Sequence, residues 1–579
     1  MGLKEVEVTD LFIETLRGLG VDYLFINPGT DTLPIQEALS KLRAMGVEEP
    51  RVILCPHEGI AVAMAEGYAM VKGRPQLVLV HVDVGTLNAG SALHNVLRDR
   101  VPLVLCAGVT PSILEGGVRG SREIHVHWMQ DVPDQSLILR DYVKWFYLVR
   151  NAEHLPYALA RAFQVACSVP EGPSYLMLPR EVLMERRERV GIPPISRYPP
   201  PSPPQGDPKA LHQAASAILE ALEPVIITSY FGRRGSSISP LVELSELLSI
   251  PVLEPKRCRA NFPTTHPNYQ GRRIGEFVEG ADLILLVDVD VPWLPKRGGN
   301  PLGAEPGEDA RIIHIDIDPL KERIPLWGFR VDMSIIADAG VAISKLIALL
   351  KESPYLNSMR EIISNRAARL REKHELWRER LAEEAEMKRN IKPVEPQWLF
   401  HVLNRVKEED TVIIDDSVTN SGILQDYIDI TRPETFYGLN GSNMGWGLPA
   451  ALGASLALKD KPPIAITGDG SFIFSNPVAG LWVARNYGIP LTLIVLNNRG
   501  YAAVKQGLLS SYPEGWSKAT GRFIAVDFQT PPRYEAIAEA CGCRGYSVEE
   551  PEDLEETLNE AYNRGKVEPV LVEVELKSI

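Results

Sequence analysis

A chain of 579 residues, 45% hydrophobic and 23% charged, is long enough for several buried cores and has the composition of an ordinary globular protein. Its net charge of −14 and pI near 5.4 exclude a general attraction to nucleic acid or to an anionic membrane surface. Six scattered cysteines argue against a disulfide framework, and no apolar run approaches the ~20 residues of a membrane span, so a soluble, cytoplasmic protein is expected.

The N-terminal stretch MGLKEVEVTDLFIETLRGLG is acidic and amphipathic, unlike a signal peptide. A first block follows with the apolar runs YLFINPG, RVILCP, LVLVHV and PLVLCAG, each separated by helix-length sequence. The proline-rich RYPPPSPPQGDP then reads as an extended linker. A second block carries PVIITS, ADLILLVDV and RIIHIDIDP, and a charged helical stretch from Ser358 to Pro396 leads into a third. That block holds TVIIDD, PIAITGDG, LTLIVLNN and VLVEVEL. Continuous Val/Ile/Leu runs between helices predict parallel sheets covered on both faces. The expected class is α/β, with three doubly wound domains at 1–190, 205–352 and 396–579 and a helical linker at 353–395. Ligands are expected at the carboxyl ends of the strands.

The richest segment runs from Ile466 to Tyr501. Gly468 and Gly470 let the chain turn closely around a ligand, and Asp469 offers an anionic oxygen from one strand end. Asn497 and Asn498 end the next strand after 26 intervening residues. A carboxylate, an amide oxygen and a backbone carbonyl suit Mg²⁺, which draws its other ligands from phosphate and water. Ser471, opening a helix, would present backbone N–H groups to that phosphate. A turn with a capping aspartate accounts for an isolated Gly-Asp-Gly, but not for the whole spaced pattern.

This pattern resembles the thiamine-diphosphate signature of the superfamily of pyruvate decarboxylase, acetolactate synthase and benzoylformate decarboxylase. The resemblance extends to CPHEGIAVAMAEGYAMVKGRP, ARIIHIDIDP and GSNMGWGLPAALGASLA, and so covers essentially the full chain. It implies pyrimidine-binding, central and diphosphate-binding domains in that order, with thiamine diphosphate and Mg²⁺ as cofactors. It implies that Glu58 activates the pyrimidine, that Met444 props the cofactor into a bent shape and that the Ser442 carbonyl takes its amino group. Asp469, Asn498 and the Gly500 carbonyl match the metal ligands. Ser417, Thr419, Asn420, Gly468, Gly470, Ser471 and Tyr501 match the diphosphate contacts. A homodimer or homotetramer, with active sites between chains, is implied as well.

On the substrate side, Thr30 and His81 match active-site positions of the benzoylformate decarboxylases, and a small 2-oxo acid is the implied substrate. His125 and His127 lie in the insert GVRGSREIHVHWMQDVPDQ and read as solvated surface histidines. The implied reaction is decarboxylation, carboligation or both. An acetolactate-synthase-like enzyme carrying FAD is an alternative, although EPKRCRANFPTTHP lacks the glycine pattern associated with a bound flavin. An acyl-CoA lyase and a non-catalytic cofactor-binding protein are the others.

Overall fold

In the computed structural model, which describes residues 6–114, 116–188, 191–233, 238–296 and 302–577, the apolar runs form three parallel sheets. The first joins Tyr23–Ile26 (β1), Arg51–Leu54 (β2), Leu77–Val80 (β3), Leu103–Val109 (β4), Trp145–Leu148 (β5) and Pro173–Pro179 (β6), ordered β2-β1-β3-β4-β6-β5. The central sheet contains Pro224–Thr228 (β7), Val252–Leu253 (β8), Leu283–Val287 (β9), Arg311–Asp316 (β10) and Met333–Ile336 (β11), ordered β8-β7-β9-β10-β11. The third contains Ile413–Asp416 (β12), Phe436–Gly438 (β13), Ile464–Gly468 (β14), Leu491–Asn497 (β15), Arg544–Val548 (β16) and Pro569–Glu575 (β17), ordered β13-β12-β14-β15-β17-β16.

In all three, the second and third strands flank the first, so strand order reverses beside β1, β7 and β12. The crevices outside the carboxyl ends of β1/β3, β7/β9 and β12/β14 are where such sheets accept ligands. The expectation of three doubly wound parallel sheets holds.

Several helices matter for the frame. Leu33–Ala44 (α1), Glu58–Lys72 (α2) and Val82–Arg98 (α3) follow β1, β2 and β3. The charged stretch folds as the 28-residue helix Arg360–Met387 (α4), burying only Arg366, Leu370, His374 and Ala385. Its Arg366 donates to the carbonyls of Leu248 and Leu222, both 2.7 Å away, which fastens the helix to the central domain.

Gly447–Leu458 (α5) begins the packing that joins the first and third domains. Both α2 and α5 are rich in Ala and Gly and buried on nearly every face. They cross backbone to backbone. A Cβ on Gly67 would lie 2.0 Å from the Ala450 carbonyl oxygen, and one on Gly453 would lie 1.9 Å from that of Met64. Their side chains merge into one core with Ile60, Leu448 and Phe472, so these two domains share an interior. Trp446 donates its indole N–H to the fully buried Glu66 at 2.8 Å, and burial raises the Glu66 carboxyl well above its usual range. Asn95 of α3 clasps Asn443 through both backbone groups, at 2.8 and 3.0 Å.

Because the obstructing atom at Gly453 is backbone, no rotamer change can relieve a methyl group there. Gly453→Ala is expected to cost about 3 kcal/mol, at the upper end for overpacking a core. Denaturant unfolding that gives wild-type stability for this variant would show that the crossing can widen.

Candidate functional site

The first domain gathers three loops at its switch point. The chain leaves β1 through Gly29, Thr30 and Asp31 before α1. It leaves β2 directly into Glu58, the first residue of α2, with the His57 ring accepting from the Gly59 N–H at 3.1 Å as a cap. It leaves β3 at His81, the residue before α3. Glu58 is buried and accepts a hydrogen bond from the Asn88 side-chain amide at 3.0 Å. His81 turns Nδ1 onto Asp31 in a close hydrogen bond, and this contact, working against burial, raises the imidazole above its ordinary pKa. Thr30 is exposed beside them.

Asp31 was not among the residues singled out from the sequence. Its signal there is only an acid one position beyond the Gly-Thr turn at a strand end. The insert histidines also need correction. His125 is exposed, but His127 is 1% exposed, accepts from the Glu123 backbone N–H at 3.2 Å and lies 3.5 Å from the Arg180 guanidinium. Burial, together with Arg180, lowers its pKa. A neutral buried histidine replaces the solvated one expected.

The third domain presents acids and amides from β12, β14 and β15. Asp469 starts the short helix Asp469–Phe474 (α6) and is 1% exposed. Its two carboxylate oxygens accept from the Gly470 and Gly500 N–H groups at 2.8 and 3.0 Å, yet burial still pushes its pKa up to about 6. The two asparagines differ. Asn497 is committed inward, donating to Glu573 at 2.6 Å and accepting from the Arg499 N–H at 3.1 Å. Asn498 is buried, and its Oδ1 has no hydrogen-bond partner. Gly500 adopts φ +155° where a Cβ would lie 2.5 Å from the Val526 carbonyl, so only glycine fits.

An orphaned amide oxygen, an under-compensated carboxylate and a glycine backbone at one strand edge fit a hard divalent cation. The phosphate side is mixed. Nothing lies within 4 Å of a Cβ on Gly468, which leaves room above it, whereas Gly470 makes way for the Tyr501 ring at 2.8 Å. Ser471 is buried behind them. Ser417 spends its hydroxyl and N–H on Asp415 at 2.6 and 3.0 Å, while Thr419 is half-buried and Asn420 buried in the same loop. The exposed Ser442 hydroxyl meets His94 at 3.0 Å. Met444 lines a small cavity with His57, Gly59, Phe474 and Ser475. Among the described residues no hydrogen bond or ion pair joins the Glu58–His81 set to the Asp469–Asn498 set.

The central switch point holds a charge cluster. Asp290, beyond β9, and Asp316, the last residue of β10, receive Arg100 of the first domain at 3.0 and 3.2 Å and Lys321 at 2.9 and 2.6 Å. The Tyr230 hydroxyl lies 2.9 and 2.7 Å from the same two carboxylates, and Arg233 pairs with Asp288 at 2.8 Å. Asn440 of the third domain donates to Asp290 at 2.9 Å. Against its burial, Arg100 and Lys321 hold Asp316 well below the usual carboxylate range.

The chain matches three family models described as the N-terminal TPP binding domain (residues 6–138), central domain (211–346) and C-terminal TPP binding domain (416–574) of thiamine pyrophosphate enzymes. It is 27% identical to a benzoylformate decarboxylase of Pseudomonas aeruginosa, covering 98% of both chains. It is 26% identical to the acetolactate synthase large subunit of Haemophilus influenzae, over 97% of this chain and 93% of that one. Among solved structures, its fold is similar to a 4-hydroxybenzoylformate decarboxylase of Rhodococcus jostii, with a TM-score of 0.78 at 23% identity over 99% of this chain and 100% of that one.

One acid at this edge, the last residue of the run TVIIDD, was given no role from the sequence. Asp416 is enclosed by the Gly447 N–H at 3.1 Å and the Thr467 hydroxyl at 3.3 Å, its Oδ1 has no partner, and burial pushes its pKa up to about 7. The unfolded chain ionises this group near pH ~4. Folding is therefore penalised increasingly from about pH 4 to pH 7, and fully above that. Asp416→Asn, melted in EDTA without added ligands, is expected to exceed wild type in Tm at about pH 8 and to match it near pH 4. An equal difference at both values would assign the effect to packing instead.

Proposed function

Because this chain belongs to the thiamine pyrophosphate enzyme family, we propose that it binds thiamine diphosphate with Mg²⁺ and acts on a 2-oxo acid. The reaction cleaves or forms the bond next to the keto carbon, by non-oxidative decarboxylation, acyloin carboligation or both. The observation that carries the reading is the unpartnered, buried Asn498 oxygen at one strand edge with the buried Asp469 carboxylate. Benzoylformate, the acid in one relative's name, is itself a 2-oxo acid.

When bound, thiamine diphosphate supplies an electron sink at the keto carbon. Asp469, Asn498 and the Gly500 carbonyl would hold the metal. Ser471, Tyr501, Thr419 and Asn420 would hold the diphosphate above Gly468 and Gly470, with Ser417 bracing the loop through Asp415. Met444 and the Ser442 carbonyl would shape the middle of the site. Glu58 would accept a proton-bearing contact from the pyrimidine, while Thr30 and His81 would orient the substrate's carbonyl and exchange a proton with it.

A second copy of the chain is part of this proposal. Leu54, Val84 and Leu87 beside the Glu58–His81 set, and Phe474, Val478 and Trp482 beyond Asp469, are 37% to 58% exposed. Apolar surface of that kind next to both half-sites supports a two-fold pairing in which each chain completes the other's site.

The central strand ends favour the simpler enzyme over its flavin and CoA alternatives, because the Arg100 and Lys321 cations there are already engaged by Asp290 and Asp316. The purified protein is expected to be colourless.

Carbon-dioxide release is expected from one or more members of a panel of 2-oxo acids with thiamine diphosphate and Mg²⁺. It should fall by about 100-fold or more in Glu58→Gln, given the usual weight of a proton-transfer group. Bound cofactor with no release from any acid would refute the reading and favour an acyl-CoA substrate. In the metal arm, Mg²⁺ with the diphosphate should raise the Tm of wild type but not of Asn498→Leu. Equal protection of both would remove Asn498 from the metal site.

A further inference from the structure

Asp31 has no role in the reading above, yet the fold makes unusual room for it. It is 2% exposed at the β1/β3 switch point, beside a His81 side chain that is 22% exposed. Its Oδ1 takes the hydrogen bond from His81 Nδ1, while its Oδ2 is buried with no hydrogen-bond partner. Two glycines make the space. A Cβ on Gly108, in β4, would fall 1.7 Å from Asp31 Oδ2, and one on Gly29 would fall 2.0 Å from His81 Nδ1.

A carboxylate in this position is costly unless a cation faces it, because burial disfavours the charged form. The group that faces it is the imidazole. Other elements add to that demand: Glu58 from α2 and Asp83 from α3 both favour the protonated ring. From the insert, the buried His127 is near enough to sense the Asp31 charge, and Arg180 lies 3.5 Å from it. With Nδ1 tied inward, Nε2 is the ring nitrogen left for the site.

We propose that Asp31 is a positioning residue whose carboxylate keeps His81 protonated, so that His81 Nε2–H supplies the proton to the substrate carbon that CO2 leaves, making aldehyde release the favoured outcome of turnover. The proposal rests on the 2-oxo acid reading and narrows it. The step balances as R–CO–COO⁻ + H⁺ → R–CHO + CO2. The electron pair of the broken carbon–carbon bond stays on the keto carbon and takes the proton from Nε2. The imidazole, partly exposed, recovers a proton from solvent. A neutral His81 would leave that carbon free longer, and a second carbonyl compound could capture it.

The test begins with cofactor-free protein and does not depend on activity. Histidine-labelled protein is titrated by NMR, with His81→Gln fixing the assignment. In wild type the His81 midpoint should lie above the ordinary value near ~6.5, and in Asp31→Asn it should drop by at least about one unit. Asparagine can still accept from Nδ1–H, so the ring keeps its orientation and loses only the charge that favours its cation. Turnover is then followed over pH with an acceptor aldehyde present. At about pH 7.5, Asp31→Asn should lose roughly 10- to 100-fold in kcat with little change in KM, and the alkaline limb of kcat should move to lower pH. The acyloin share of product should rise. A wild-type midpoint at or below the ordinary value overturns the pair, even if Asp31→Asn fails to fold. A lowered kcat with an unmoved limb and unchanged product ratio overturns the proton delivery. Absence of CO2 release by wild type, with the NMR shift intact, defeats the 2-oxo acid reading and with it the delivery, while the pair stands.

Discussion

The frame of this molecule rests on the crossing of α2 and α5, where neither Gly67 nor Gly453 can carry even a methyl group. Helices that meet through side chains can slide or rotate by small repacking. Helices that meet through peptide groups have far less freedom, since the obstructing atoms have no rotamers. Glu58 begins one helix, and Met444 and Trp446 immediately precede the other. The crossing therefore fixes where Glu58 and the Met444 loop begin relative to each other. His57 and Gly59 share a cavity with Met444 and Trp446, so the two helix starts do lie side by side. Small residues throughout both helices, with Asn95 clasping Asn443 nearby, serve that one geometry.

Three sheets of the same topology put three switch points to different uses, and charge balance separates them. At the central one, Asp288, Asp290 and Asp316 meet Arg100, Arg233 and Lys321, three against three, with every member paired. At the third, Asp415, Asp416 and Asp469 gather without an ion pair to any Lys or Arg among the described residues, and an asparagine oxygen goes unpaired beside them. An excess of buried anion with an open oxygen is what a cation-dependent site needs before its metal arrives. At the first, the Asp31 carboxylate is bonded to a histidine, a base that can gain or lose its charge near neutral pH. One crevice is charge-balanced, one lacks positive charge, and one holds a titratable pair.

Much of this was legible in the sequence, for identifiable reasons. Strand runs such as LVLVHV and LTLIVLNN announce parallel, doubly covered sheets because no alternation survives when both faces are buried. Asp469 and Asn498 stood out in the sequence because an acid and an amide at adjacent strand ends are residue types that suit a hard cation. Which amide of Asn497–Asn498 keeps an unpartnered oxygen was not legible from local sequence, since it depends on strand register and on Glu573, 76 residues from Asn497. Asp31 stayed hidden because its partner is 50 residues distant, and nothing local distinguishes it from a turn aspartate. His127 was misjudged because the insert looks polar, while its burial depends on Arg180 at the end of β6.

The charge-balanced central crevice also bears on the geometry of the other two domains. Arg100 reaches it from just beyond α3, the helix that begins after His81 and supplies Asn88 to Glu58. Asn440 reaches the same Asp290 from the loop that leads to Ser442 and Met444. One buried carboxylate thus receives a donor from each catalytic domain. Removing one partner of such a network leaves its neighbours uncompensated, at a cost well above that of a surface ion pair. The central domain thus touches both TPP-binding domains through the partners of one carboxylate, and the ion pairs that balance its charge also tie α3 and the Met444 loop to a common anchor.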